Sequence, residues 1–314
     1  MRARKLLMLP WFATIVMTAA VAATTGQTDL ALRMRIVTPA TVVRPGTVML
    51  VTVTGSQPLT RVETDAFKRT IPFWLTAVPT EWQALVGVPL DTSPGLHELT
   101  VRATEADGRA ATQPLRLTIV RARFETRRLR VDRRFVDPPA REAERIRHEA
   151  KTLADIFAQT RPGRLWSEPF TAPVPGESTS SFGRLTMLNG RSRGRHLGAD
   201  FRAPHGTPVV APNAGRVVLA DDYYFSGNTV ILDHGDGLYS LVAHLSRIGV
   251  RAGAHVERGD AIGDSGETGR VTGPHVHWAV RLRGDSVDPL SLVAAVASID
   301  GRSRRAVGIW PEGG

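Results

Sequence analysis

The chain has 314 residues, enough for two domains, and its hydrophobic fraction of 42% is ordinary for a globular protein. It contains no cysteine, which excludes disulfides, thiolate nucleophiles and cysteine-based metal sites. The formal net charge of +10 comes almost wholly from arginine, because lysine occurs only at positions 5, 68 and 151. This excess of arginine either serves to bind an acidic partner or reflects an arginine preference set by genome composition.

The N-terminal segment has the three regions of a secretory signal. MRARK carries three positive charges, an uncharged apolar run follows over 6–22, and Ala20-Val21-Ala22 supplies a small-residue cleavage site. We predict that residues 1–22 are a cleaved signal peptide, and that the rest is exported to the periplasm or envelope of a bacterium. An uncleaved membrane anchor is the alternative. An exported basic protein is expected to meet acidic wall polymers and no nucleic acid.

Residues 27–132 are predicted to form an Ig-like β-sandwich. Short β-type runs such as TVMLVTVTG and LHELTVRAT alternate with turn segments such as RPG and DTSPG, a pattern typical of an antiparallel sandwich. The region contains no cluster of catalytic side chains, and we interpret its lone His97 as a surface strand residue. It is predicted to be a spacer, with an adhesion or wall-binding module as the alternative.

Residues 133–178 are predicted to form a helical linker. PPAREAERIRHEAKTLADIFAQT lacks glycine and places Ile146, Leu153 and Ile156 at roughly helical spacing, before the proline-rich RPGRLWSEPFTAPVPGE ends the helix. The region 179–295 is again β-rich with many glycines, and a C-terminal tail covers 296–314. The predicted fold class is therefore mainly β, with a sandwich, a linker helix and a C-terminal antiparallel β-sheet domain.

The last region holds seven of the nine histidines, and some of them have the spacing of a metal site. RHLGADF contains His196 and Asp200, and TGPHVHWAV contains His275 and His277. Residues two or four apart point to one face of an extended strand. A catalytic zinc keeps three protein ligands and a water, so two such pairs would leave one imidazole free. Spacing alone does not tell which one.

A third histidine segment is SLVAHLS, in which His244 lies inside an apolar strand. A lone histidine there is typical of a satisfied core residue, but three histidine segments in one small domain favour a site. The sequence has no H-E-x-x-H motif, so no glutamate is placed as the general base of the usual zinc proteases. A free histidine is the available candidate for that role.

The motifs HLGAD, VAHLS and GPHVHW, in this order, resemble the LytM/lysostaphin-type zinc endopeptidases of bacterial cell walls. The resemblance covers roughly residues 180–292 and includes connecting segments such as HLGADFRAPHGTPVVAPNAGRVV and VDPLSL. It implies an open antiparallel β-sheet domain with a groove and one zinc ion per chain. The implied zinc ligands are His196, Asp200 and His277, whereas His244 and His275 act on water and on the scissile carbonyl. The sequence departs from the family at Val242, where a tyrosine is usual.

The function that the resemblance implies is hydrolysis of amide bonds in peptidoglycan peptide cross-links. The alternative is a catalytically silent scaffold or activator of other wall hydrolases, because some members of the family have lost zinc ligands. Arginines 184, 191, 193 and 195 crowd the approach to His196. We predict that Arg193 and Arg195 bind carboxylates of the stem peptide, with a solvated loop as the alternative. The sequence predicts neither the cross-link that is cut nor a regulatory partner.

Overall fold

A computed structural model of the chain describes residues 32–130, 132–180, 182–297 and 299, without the side chain of Arg193. The predicted signal peptide, residues 1–22, and all but the first few residues of the predicted tail, 296–314, lie outside the described residues. The described part is mainly β, which confirms the predicted fold class. None of its helices is long and apolar enough to cross a membrane.

Two sheets enclose the core of the N-terminal sandwich. The first contains, in spatial order, β1 (Met34–Val37), β3 (Val48–Gly55), β7 (Glu81–Gly87) and β6 (Trp74–Leu75). The second contains β2 (Val42–Val43), β9 (Ala110–Ile119), β8 (Gly95–Glu105), β4 (Leu59–Ala66) and β5 (Arg69–Pro72). Alternate residues of β8, namely Leu99, Val101 and Ala103, are buried in this core, as the two-residue period of a strand requires.

The end of the predicted sandwich range and the predicted linker contribute a strand and a helix, respectively, to the C-terminal half. Strand β10 (Thr126–Leu129) is followed by two short 3-10 helices, Arg133–Phe135 and Ala140–Glu142, and then by α1 (Ala143–Ala158). The ion pair between Arg145 and Glu149, at 2.6 Å, supports the helix. Phe157 of α1 packs edge-on against Tyr239, with 5.6 Å between ring centroids. The linker therefore lies against the C-terminal sheet.

A small three-stranded sheet joins β10 to the C-terminal domain. Strand β10 pairs in parallel with β12 (Leu185–Leu188), and β12 pairs antiparallel with β13 (Arg191–Arg195). The large sheet contains, in spatial order, β11 (Ser178–Ser180), β14 (Gly198–Phe201), β21 (Val276–Leu282), β18 (Leu238–Ile248), β17 (Gly227–Asp233), β16 (Gly215–Tyr223) and β19 (His255–Val256). Strands β15 (Pro208–Val210), β20 (Ala261–Ser265) and β22 (Asp285–Val287) pair beside this path.

The two faces of the large sheet differ in chemistry. In β21 the side chains of Val276, Trp278 and Val280 are buried in the hydrophobic core, whereas the residues between them are partly exposed on the other face. The short helix α2 (Pro289–Val296) covers the core side. Its first turn is capped by Asp288, whose carboxylate accepts a hydrogen bond from the Leu290 N–H at 3.0 Å.

The sandwich shares this core and is not a loosely tethered module. Leu50 and Leu85 of the sandwich belong to the same buried cluster as Val287 and Leu292 of the sheet domain. The hydroxyl oxygen of Ser291 accepts a hydrogen bond from the Val48 N–H at 2.8 Å. An extended apolar contact of this kind restricts relative motion of two domains. The sandwich is thus fixed to the sheet on the side opposite the partly exposed face of β21.

A buried histidine ties the β17–β18 turn to the core. His234 is 0% exposed; its Nδ1–H donates to the Ala214 carbonyl at 2.7 Å, and its Nε2 accepts from the Ser240 hydroxyl at 2.9 Å. The Ser240 oxygen in turn accepts a hydrogen bond from the indole N–H of Trp278 at 3.1 Å. Burial lowers the pKa of His234 to about 4. The network thus requires a neutral imidazole.

We predict that Leu85→Ala destabilises both halves together. Leu85 is 2% exposed in the shared core, and truncation of such a residue costs about 2–5 kcal/mol. Urea unfolding followed by circular dichroism should show one transition at a lower midpoint. The control is Val42→Ala, because Val42 is 59% exposed, and its midpoint should stay close to wild type. Two separated transitions, only one of which shifts, would contradict the shared core.

We also predict that His234 makes the fold sensitive to acid. Its pKa falls from 6.5 in the unfolded chain to about 4 in the folded chain, so the unfolded state binds more protons between these values. Stability is therefore full above pH 6.5, declines as the pH falls, and has lost about 3 kcal/mol from this group near pH 4. The measurement is the free energy of unfolding against pH for wild type and for His234→Gln. The same pH dependence in both would count against the assignment.

Candidate metal centre and active site

Three side chains meet at the partly exposed face of the large sheet. The Nε2 atom of His196 lies 3.0 Å from Oδ1 of Asp200, and Nδ1 of His277 lies 2.9 Å from the same oxygen. The two imidazole nitrogens are 3.1 Å apart. Among the described residues, these three form the group whose ligand atoms all lie within 4.8 Å of one another, as a metal site requires. All three side chains are partly buried.

Strand register brings Asp200 and His277 together. They are directly opposite each other in the antiparallel pair β14–β21, and directly opposed residues project from the same face. His196 precedes β14, in the short segment that connects it to β13. A Cβ atom on Gly198 would lie 2.4 Å from the Trp278 carbonyl oxygen and 2.7 Å from Cε1 of His277. The glycine in HLGAD therefore permits the close approach of the two strands.

The Asp200 carboxylate is held in its charged form. Burial acts to raise the pKa of Asp200, but the hydrogen bonds and charges of His196 and His277 outweigh it, so that the pKa lies well below its usual range. The Ser180 hydroxyl oxygen lies 3.0 Å from Nδ1 of His196, the ring nitrogen that faces away from Asp200. Such outer contacts orient a ligating imidazole and select its tautomer.

The other two predicted histidines flank this group, and each presents Nε2 to the groove. Nδ1 of His275 lies 2.8 Å from the Gly273 carbonyl, and Nδ1 of His244 lies 2.9 Å from the Thr268 carbonyl. A carbonyl oxygen only accepts hydrogen bonds, so each Nδ1 carries the proton. In the neutral ring, Nε2 is then an acceptor. Nε2 of His275 is 3.9 Å from Oδ1 of Asp200.

His244 reaches the groove through a β-bulge. In β18, Ser240 and Val242 face the core, so a regular strand would turn His244 to the core as well. The β17–β18 register shifts between Asn228 and Val230, and His244 has a φ of +65° in the left-handed region. As a result, its ring lies 4.8 Å from that of His275. Val242, where the family has tyrosine, is fully buried.

Electrostatics favour neutral imidazoles in this cluster. Burial lowers the pKa of His244 to about 3, and the nearby His277 and His275 act in the same direction. Burial also lowers the pKa of His277, although the Asp200 carboxylate opposes this shift. Both shifts favour the neutral form of these rings. Neutral nitrogen lone pairs are the form that binds a metal or accepts a proton.

The five residues line a groove of about 860 Å³. Its floor includes Leu241, Ala279 and Arg281 of the central strands. One wall residue, Arg184, is among the arginines that the sequence places near His196. The other wall residues come from parts of the chain that the sequence did not connect with the site: Arg127, Leu129, Thr186 and Leu188 of the small sheet, Phe225 and Arg270 of the loops, and Ala150, Leu153 and Phe157 of α1. The sequence of the linker helix is amphipathic, but an apolar helix face does not by itself identify the surface against which it packs.

The predicted arginines lie in different environments. Arg195 lines the groove, donates a hydrogen bond to the Gly183 carbonyl at 3.0 Å and stacks on the Phe124 ring. Arg191 instead pairs with Asp137 at 2.5 Å. The backbone of Arg193 belongs to β13, but its side chain lies outside the described part. Carboxylate binding by Arg193 and Arg195 therefore stays a prediction. His205 is exposed in a turn and His255 is exposed in strand β19, and neither lines the groove.

Comparison with known proteins matches this part of the chain to a family. The model of peptidase family M23 matches residues 194–289, which include all five residues of the cluster. The "Peptidoglycan DD-endopeptidase ShyA" of Vibrio cholerae is 43% identical over 103 residues, which are 33% of this chain and 24% of that protein. The "DD-carboxypeptidase/endopeptidase Mpg" of Neisseria meningitidis is 41% identical over 97 residues, 31% of this chain and 22% of that protein.

The curated relatives are therefore matched over about a quarter of their length. A longer similarity exists with a crystal structure from Pseudomonas aeruginosa that is assigned to peptidase M23. It has 32% sequence identity and a TM-score of 0.61, and the match covers 80% of this chain and 95% of that one. The likeness thus extends well beyond the histidine cluster into the rest of the fold. The chain belongs to peptidase family M23.

Proposed function

We propose that this chain is an exported, zinc-dependent endopeptidase that hydrolyses amide bonds in the peptide cross-links of peptidoglycan. The observation that carries the proposal is the cluster itself: three ligand atoms converge, and two further imidazoles present Nε2 beside them. Such a set supplies both a metal site and a proton acceptor, which a binding module or scaffold does not need. The silent alternative is not favoured, because every polar position of the site is retained.

The donor set fits zinc. Imidazole nitrogen and carboxylate oxygen are zinc ligands, and two ligands of a tetrahedral zinc lie ~3.3 Å apart. The three distances between ligand atoms here are 2.9, 3.0 and 3.1 Å. If both imidazoles donate to Oδ1 of Asp200, their N–H groups crowd each other. A cation placed between the three ligand atoms would instead accept one lone pair from each of them. His196, Asp200 and His277 would hold the ion.

Zinc bound there would polarise the scissile carbonyl and make water a competent nucleophile near neutral pH. The chain's own histidines then manage the proton. His275 accepts the proton of the attacking water at Nε2, because its Nδ1–H is engaged by the Gly273 carbonyl. The same Nε2–H can afterwards pass the proton to the leaving amine. Protonated His275 also stabilises negative charge on the carbonyl oxygen as it develops.

His244 has a complementary role in this scheme. Its low pKa, caused first by burial and then by His277 and His275, makes it a poor resting proton acceptor. A neutral Nε2 lone pair still accepts a hydrogen bond from water and orients it for attack. The left-handed backbone at His244 is consistent with such a role, because strained backbone is enriched at active sites.

The substrate class rests on the relatives and on charge. The similar proteins from Vibrio cholerae and Neisseria meningitidis carry names that describe DD-peptide hydrolysis, and the former name includes peptidoglycan. The net charge of +10 favours association with an acidic wall polymer. Export rests on the sequence of residues 1–22. These lines of support together favour cross-links that contain D-amino acids.

We predict that the two histidines of the HVH motif can be separated by mutation. His277→Ala should lose zinc and activity, because a ligand is removed, whereas His275→Ala should keep stoichiometric zinc and lose about 10²–10⁴-fold in kcat. Zinc is measured by mass spectrometry of the purified full chain, and kcat by release of free amines. His255→Ala is the control, because His255 is exposed in strand β19 and does not line the groove. Undiminished hydrolysis by the His275 variant would overturn the assignment.

The decisive test of the proposed function uses purified sacculi. Wild-type protein should contain one zinc per chain and release free amines, and Asp200→Ala should do neither. Release of reducing sugars instead of amines would indicate a glycosidase. A wild-type chain that remains metal-free and inactive after zinc is added would favour the scaffold and reject the proposal.

A further inference from the structure

Two partly buried arginines in the groove lack an anionic partner. Arg127 and Arg184 both line the groove that contains the metal centre. Within the described ranges, no group accepts a hydrogen bond from either guanidinium, and neither forms an ion pair with a carboxylate. The Nε atom of Arg184 is buried without a hydrogen-bond partner. Their neighbour Arg191, by contrast, pairs with Asp137.

Strand pairing puts both side chains on one face. In the parallel pair β10–β12, Thr126 is opposite Leu185, and the Leu185 N–H donates to the Glu125 carbonyl at 2.9 Å. Arg184 is thus in register with Glu125, two residues from Arg127 on the other strand. Two residues span ~6.6 Å along a strand and return to the same face. Thr186 and Leu188 share this face, and they too line the groove.

The electrostatics match this geometry. Burial and the neighbouring Arg127 guanidinium lower the pKa of Arg184, while the carboxylates of Asp200 and Glu125 act in the opposite direction. The two guanidiniums thus repel each other, and they line the same groove as the Asp200 carboxylate. Leaving two guanidiniums partly desolvated and unpaired is unfavourable unless an anion joins them.

We propose that Arg127 and Arg184 form a carboxylate-binding subsite that recognises a free carboxylate of the peptide substrate next to the scissile bond. The inference rests on the proposed function for the identity of the substrate as a peptide. Guanidinium groups bind carboxylates through paired N–H donors, and two of them on one face of the same groove suit this planar anion. Both arginines lie outside residues 194–289, so the subsite is built by β10 and by the segment just before the family region.

The carboxylate has two possible sources, a chain terminus or an acidic side chain. The probes are three synthetic N-acetylated tripeptides: one ending in D-alanyl-D-alanine with a free acid, its C-terminal amide, and an amide with a glutamate side chain. Binding to full-length protein stripped of metal is measured by calorimetry. Wild type should bind one of the two acids at least about tenfold more tightly than the neutral amide. The preferred acid identifies the source.

The variants Arg127→Gln and Arg184→Gln should each reduce this preference about fivefold or more, while zinc content and the circular dichroism spectrum remain unchanged. The matched control is Arg128→Gln, since Arg128 is exposed on the opposite face of the same strand and does not line the groove. With zinc-loaded protein and the preferred acid, KM should rise in the two variants while kcat changes less.

The proposal is overturned if wild type binds acids and amide equally, if it binds none at millimolar concentration, or if Arg128→Gln has the same effect as the two groove variants. These outcomes are separate from failure of the proposed function. Hydrolysis of sacculi without a carboxylate preference removes the subsite and keeps the endopeptidase. A carboxylate preference without hydrolysis of any substrate keeps the subsite and removes the endopeptidase.

Discussion

The pairing of Asp200 with His277 across β14 and β21 is the constraint on which the site depends. If one of these strands slipped by one residue, its side chain would turn into the core while that of its partner stayed in the groove. The reason is that successive residues of a strand face opposite sides. The register is held by Val276, Trp278 and Val280, which are all fully buried. The hydrophobic core thus sets the geometry of the polar cluster. A buried carboxylate without such partners would be strongly unfavourable.

Support for this register extends through the sheet. Trp278 is adjacent to His277 and donates to Ser240, which in turn is hydrogen-bonded to His234. This buried polar network lies on the core side of the same strand that carries the cluster. Satisfied networks of this type favour one arrangement of neighbouring strands over its alternatives.

Much of this arrangement was predictable from sequence, since it follows from short-range periodicity. His275 and His277 do share a face, and the turn-rich pattern of the chain did indicate a mainly β fold. His244 is different, because regular alternation would turn it to the core. Its position depends on a register shift and a left-handed residue, which no local pattern reveals. His196 and Asp200 also meet without lying on one regular strand, so the reasoning from strand spacing reached that pair by a wrong route.

Long-range packing explains what sequence patterns could not show. Strand β10 lies at the end of the range predicted as the sandwich, yet it pairs with β12 of the C-terminal half. The linker is predicted to be a connection, yet its helix α1 forms a wall of the groove. The sandwich was interpreted as a spacer, yet Leu50 and Leu85 lie in the core of the sheet domain. The contacts join residues far apart in the chain and have no signature in composition or spacing. The groove is consequently formed by several regions of the chain, although the His196, Asp200 and His277 cluster comes from one.

The most direct test is a crystal structure of the zinc-loaded chain with anomalous scattering recorded at the zinc edge. We expect one peak, ~2.0–2.2 Å from Nε2 of His196, Oδ1 of Asp200 and Nδ1 of His277, with His244 and His275 outside the coordination sphere. A peak coordinated by His275 in place of His277, or located away from this cluster, would contradict the account.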